Sequence, residues 1–203
     1  MKLLVLSCIE AIVTTALASP FSTSANANVR AYGGLEAEDC QIRCPLSTEP
    51  GQVVLPALTQ YKNASGEWEN TIECWQVDTV STELPGIDNA FRLDWEGGFD
   101  AAYQYVFYDQ SFMPAHPAPE PSLIVMSSGI GDLRVPSGRC LRVGAGDIFF
   151  SVGTDGRQTA WWSEGTVVSD FYFKGGKIPK HDVVPEAPAG EGAFVVQTSD
   201  GEL

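Results

Sequence analysis

Between residues 52 and 173 no window of twelve residues carries a helical stripe, and this constrains the fold more than anything else in the chain. In its place, short apolar or alternating runs recur at roughly ten-residue spacing, cut by Gly, Pro, Asp and Ser. The runs predict strands at 52–58, 71–79, 90–95, 102–108, 122–126, 131–135, 140–143, 148–152, 158–162 and 166–173. Strands this short and this regular bury one face by packing sheet on sheet, so the class is all-β, a sandwich or a barrel. The stretch suffices for one core and is too short for two.

The ends have a different texture. Met1-Lys2 precedes an apolar stretch from Leu3 through Val13, ending in Ala16-Leu17-Ala18. A basic start, an apolar run too short for a bilayer and a small-x-small site read as a signal peptide over residues 1–18, cut after Ala18. Glu10 is out of character within it. Residues 19–50 show no period and read as an arm pinned by Cys40 and Cys44, while 51–178 form the barrel domain. Residues 179–203, rich in Pro, Glu, Ala and Gly, read as a tail that is flexible or laid across the surface.

Of five cysteines, Cys8 leaves with the signal peptide, and Cys40, Cys44, Cys74 and Cys140 remain. An even number in an oxidising compartment reads as two disulfides, with three connectivities open. The Cys40–Cys44 spacing has no second Cys or His pair to complete a zinc site. Asn63-Ala64-Ser65 is a glycosylation sequon between two predicted strands. The net charge of −14 argues against nucleic acid and anionic membrane as partners.

The stretch from His116 to Gly129, with Gly131-Asp-Leu-Arg-Val and Gly144-Ala-Gly-Asp147-Ile-Phe-Phe after it, resembles the cupin superfamily. Cupins carry G-x5-H-x-H-x3,4-E-x6-G and then G-x5-P-x-G-x2-H-x3-N on facing strands of a small jelly-roll barrel. His116 and Gly129 have the spacing of the first motif's histidine and closing glycine. Gly138, Gly144 and Gly146 fall at the second motif's opening glycine, proline and glycine. The resemblance covers residues 90–174 and implies a cupin-like barrel. At the ligand positions, however, stand Ala118, Ser122 and Phe149, leaving His116 alone, with Glu120 two residues out of place. Three or four converging donors are needed for a first-row metal, so neither metal nor cofactor is expected. The segment is also similar to small fungal cupin-like proteins that lack a full ligand set, some of them associated with secondary metabolism.

Candidate functional groups concentrate between residues 94 and 116. Tyr103 and Tyr105 alternate on one strand and share a face. If that face is the interior, two phenols and the His116 imidazole surround an organic ligand, with His116 as the candidate acid or base. His181 reads as solvated, and Trp68, Trp75 and Trp95 as core. Trp161-Trp162 places one indole inward and one outward, and an exposed Trp161 is suited to stacking on a sugar or aromatic ligand. No G-x-S-x-G, H-E-x-x-H or phosphate-binding glycine loop is present. The expectation is a secreted, metal-free barrel binding a small organic molecule, an isomerase or cyclase if catalytic. The alternative is a non-catalytic secreted interaction protein, an effector or glycan binder.

Overall fold

The computed structural model describes residues 42–47, 51–81, 91–93, 95 and 97–188, all within the unit Leu35–Leu203. Twelve strands make up most of them: β1 Gln52–Lys62, β2 Trp68–Ser81, β3 Phe91–Leu93, β4 Phe99–Phe107, β5 Ser111–His116, β6 Ser122–Ser128, β7 Ile130–Arg134, β8 Cys140–Gly144, β9 Ile148–Ser151, β10 Gln158–Trp162, β11 Thr166–Phe173 and β12 His181–Val184. Among the described residues a 3-10 turn, Lys174–Gly176, interrupts them. The expected signal peptide, most of the arm with Cys40, and residues 189–203 lie outside the described residues.

The chain is all-β and rolled as a jelly roll. β4 pairs with β11, β5 with β10, β6 with β9 and β7 with β8, all antiparallel, so the middle of the chain is one long hairpin folded over on itself. Rolling splits it into a small sheet, β5-β10-β7-β8, and a large one, β12-β2-β1-β9-β6-β11-β4, with β3 branching from β2. The large sheet curls into a half-barrel and gains β1 through a parallel pairing with β9.

Two cores flank the large sheet. Leu58, Ile72, Met126, Phe149 and Val168 on its inner face meet Leu133, Leu141, Val143, Ala160 and Trp162 of the small sheet. Its other face carries Leu55, Trp75, Val77, Phe150 and Phe173, with Trp95 packed against them. Successive residues on a strand point to opposite faces, so Phe149 and Phe150 enter different cores, and both are fully buried. This is why the Ile-Phe-Phe run reads as continuously apolar.

The structure departs from the sequence reading in several places. β5 adds a strand to those expected from the sequence; its Pro114, which lacks a donor, is tolerated because β5 is an edge strand. His116 therefore closes β5 instead of leading into β6. β12 lies within the segment read as a tail and pairs with β2. Its His181 is not solvated: the ring stacks on Trp75 at 3.5 Å between centroids and 10° between planes. Trp68 is 44% exposed and lies beneath the Lys62 ammonium, outside the core. Gly129 has the positive φ of 79° that a tight turn needs. Gly131, in contrast, is required by close approach, since a methyl group there would overlap the Trp162 ring.

Cys44 and Cys74 form a disulfide that ties the arm to β2, and Cys140 is disulfide-bonded as well. Asn63 sits in the β1–β2 turn. Its carbonyl oxygen accepts from the Ser65 and Glu67 amides, each at 3.0 Å, and its amide donates to Glu69 at 2.7 Å.

Candidate functional site

The candidate residues stand on the edge strands of the two sheets. β4 is the edge of the large sheet and β5 the edge of the small one, joined by the corner at residues 108–110. Residues directly opposite in an antiparallel ladder share a face. Tyr103 lies opposite Asp170 and Tyr105 opposite Val168, and Val168 belongs to the inter-sheet core. Both tyrosines thus point to the inner side of the half-barrel, yet remain 52% and 43% exposed, since among the described residues no strand pairs beyond β4. On the other edge, His116 lies opposite the buried Gln158, and Met113 opposite the core residue Ala160.

Chain geometry brings these edges to a common height. Tyr103 is four residues before the end of β4 and His116 five after the start of β5. At about 3.3 Å per residue that is roughly 13 and 17 Å from the corner, and a bulge between Met113 and His116 takes up part of the difference. The two tyrosines thus stand on the edge strand of one sheet and His116 on the edge strand of the other. No hydrogen bond or ring contact joins them among the described residues.

Beneath the tyrosines lies a polar group that the sequence reading did not single out. Asp170 is 7% exposed, and its Oδ1 has no hydrogen-bond partner among the described residues. Burial pushes its pKa up, and hydrogen bonds from Ser122 and Tyr172 offset only part of that effect. Tyr172, two residues along the same face, is ringed by the others. Its ring centroid is 5.5 Å from that of Tyr103, and its hydroxyl is 3.5 Å from that of Tyr105. Burial first, then the Tyr105 hydrogen bond and the Asp170 charge, hold the Tyr172 phenol far above its ordinary range. The signal in the sequence was Asp170 itself, a lone carboxylate at an inward position of the otherwise apolar or hydroxylic strand Thr166–Phe173.

His116 has one nitrogen committed. Nδ1 is 2.7 Å from the Pro114 carbonyl oxygen, which can only accept, so Nδ1 carries the hydrogen and Nε2 is the basic nitrogen. Next to it, the Asn70 amide donates to Gln158 in the barrel interior and fills the space over Gly153 and Gly156.

The cupin ligand positions do not suit a metal. Ala118, Ser122 and Phe149 are buried at 4%, 1% and 0% exposure, and only Ser122 offers any donor. No group of three or more His, Cys, Asp or Glu side chains is placed to hold a metal among the described residues. Trp161 faces away from the core but is half-buried, less open than the sequence suggested, and Trp162 faces into the core, where it stacks on Phe107 at 5.4 Å and donates from Nε1 toward the Met113 sulfur. Among the described residues no helix is long and apolar enough to cross a membrane. The chain matches no protein-family model, no curated protein and no solved structure.

Proposed function

We propose that this is a secreted, metal-free jelly-roll protein of cupin type that binds a small organic molecule in the seam between β4 and β5 and isomerises or cyclises it by proton transfer. One observation carries the reading: a buried carboxyl, Asp170, with an unpartnered oxygen, lies under three tyrosines at an open sheet edge. A buried polar atom without a partner costs free energy, and proteins retain such atoms where a ligand or a reaction uses them. Exposed phenol rings beside it supply flat apolar walls and a few hydroxyls, the usual composition of an organic-ligand site.

The roles follow from the electrostatics. Asp170, kept protonated to higher pH than an ordinary carboxyl, is the proton source. Tyr172 stays a neutral phenol, so it takes the Asp170 proton as it gives its own to Tyr105 and relays without ionising. The path Asp170 to Tyr172 to Tyr105 ends at a hydroxyl open to the seam. A proton delivered there to one atom of the ligand is balanced by one taken from another atom by Nε2 of His116. Solvent then returns His116 and Asp170 to their starting states, so no co-reactant is consumed. The ligand's bound conformation supplies a further part of the acceleration. The Cys44–Cys74 disulfide supports an oxidising compartment, and the acidic surface argues against nucleic acid and anionic membrane as partners.

The test is native mass spectrometry of protein purified from its own source. A retained small molecule is expected, lost in Tyr103→Ala and weakened in Tyr105→Phe, with turnover of that molecule reduced about 10²- to 10⁴-fold in His116→Ala and Asp170→Asn. Retention that survives both tyrosine changes would move the binding site elsewhere. Equal turnover in all four variants would remove the proton-transfer role.

A further inference from the structure

The outer face of the small sheet carries a second arrangement, independent of the seam. Phe112 lies opposite Trp161, Trp161 opposite Asp132, and Asp132 opposite Arg142. These four positions form one row straight across β5, β10, β7 and β8. Their neighbours Ala160, Trp162, Leu133, Leu141 and Val143 fill the core, so the row points away from it. Strands lie about 4.8 Å apart, which makes the row roughly 14 Å long.

Its composition is uncommon for an outer sheet face. Phe112 is 66% exposed, although nothing in the fold needs a phenyl ring there, whereas Trp161 is half-buried and Asp132 buried. Asp132 binds Arg142 through two bonds, Asp132 Oδ1 to Nε at 2.7 Å and Oδ2 to Nη2 at 2.8 Å. This fork fixes the guanidinium plane against the sheet. The fork uses Nε and Nη2, so Nη1 points its donors elsewhere, at the β8 end of the row. The Arg142 charge is already answered by Asp132, which leaves directed hydrogen-bond donors without net attraction for an anion.

The geometry points to this row as a binding platform for a neutral glycan. Phe112 and the exposed part of the half-buried Trp161, on adjacent strands, offer flat surfaces to the apolar faces of sugar rings, and Arg142, held in place by the buried Asp132, offers donors to hydroxyls at one end. The net charge of −14 disfavours uronate or sulfated polymers and selects neutral chains. The row's length fits a short stretch of linear oligosaccharide. The inference uses no residue of the β4–β5 seam, so it stands or falls separately from the function proposed there.

Native affinity electrophoresis of the intact protein through gels containing laminarin, hydroxyethyl cellulose or yeast mannan tests it, with polygalacturonate as the anionic comparison. Retardation is expected with at least one neutral polymer and not with polygalacturonate. Trp161→Ala should weaken it at least tenfold and Phe112→Ala at least threefold. Tyr108→Ala, which removes an 83% exposed ring at the β4–β5 corner, should leave it unchanged. Phe112 is so exposed that its replacement will not unfold the protein, and circular dichroism of each variant checks this. Absence of retardation by every neutral polymer, retardation by polygalacturonate alone, retardation unaffected in both Trp161→Ala and Phe112→Ala, or an equal loss in Tyr108→Ala would each overturn the proposal.

Discussion

Asp170 stands directly opposite Tyr103 across the β4–β11 ladder, the carboxyl buried and the phenol half in solvent. A cross-strand pair usually shares its environment, because both side chains lie on one face. Here the sheet ends at β4, so the inner residue is covered by its neighbours and the outer one is not. That gradient across one strand spacing places a titratable group at the floor of an accessible surface.

The raised pKa of Asp170 has a consequence for stability that can be measured. Its folded value lies above the unfolded one of about 3.9, so the folded state binds the proton more tightly. Stability linked to this group is therefore present at low pH and is lost as pH rises from about 3.9 through the higher folded value. Asp147, also raised by burial, acts in the same direction. Asp170→Asn should remove the Asp170 part, so that the variant gains on the parent as pH is raised from about 4 to 7. Urea midpoints at several pH values read this directly, and a constant difference across the range would contradict the assignment.

The Cys44–Cys74 bridge closes a loop with a sequence separation of 30. Replacing both with serine should cost about 3 to 4 kcal/mol, chiefly by freeing the unfolded chain. Chemical denaturation of the double variant against the parent checks the figure.

Gly131→Ala places a methyl group against the Trp162 ring, which is itself fixed between Phe107 and the core. A loss of about 1 to 3 kcal/mol is expected from this overpacking. Phe149→Ala, which empties a fully buried site, should cost more, about 3 to 5 kcal/mol. Both are read from thermal melts beside the parent.

The two histidines should behave oppositely. His181 stacks on Trp75, and its Nδ1 is 2.9 Å from the Pro179 carbonyl oxygen, so it fastens β12 to β2. His181→Ala should cost about 0.5 to 1.5 kcal/mol and leave ligand turnover intact. His116→Ala, at a strand end on an open edge, should stay within about 0.5 kcal/mol while reducing turnover. A reversed pattern would transfer the functional role to His181.

Period and punctuation alone determined much of this molecule. The all-β class, the strands at 158–162 and 166–173, the inward and outward indoles of Trp161-Trp162, and the shared face of Tyr103 and Tyr105 all follow from two-residue alternation, a local property of the backbone. The disulfide partners, the stacking of His181 on Trp75, the edge strand β5 across Pro114 and the row Phe112-Trp161-Asp132-Arg142 do not. Each joins residues whose sequence distance carries no information about their meeting. Asp170 was visible as an oddity in an apolar strand, but its burial depends on β11 lying between β6 and β4, and the exposure of Tyr103 above it on β4 being an edge. Register and sheet order arise from packing the whole chain, and they decided which of the legible side chains share a site.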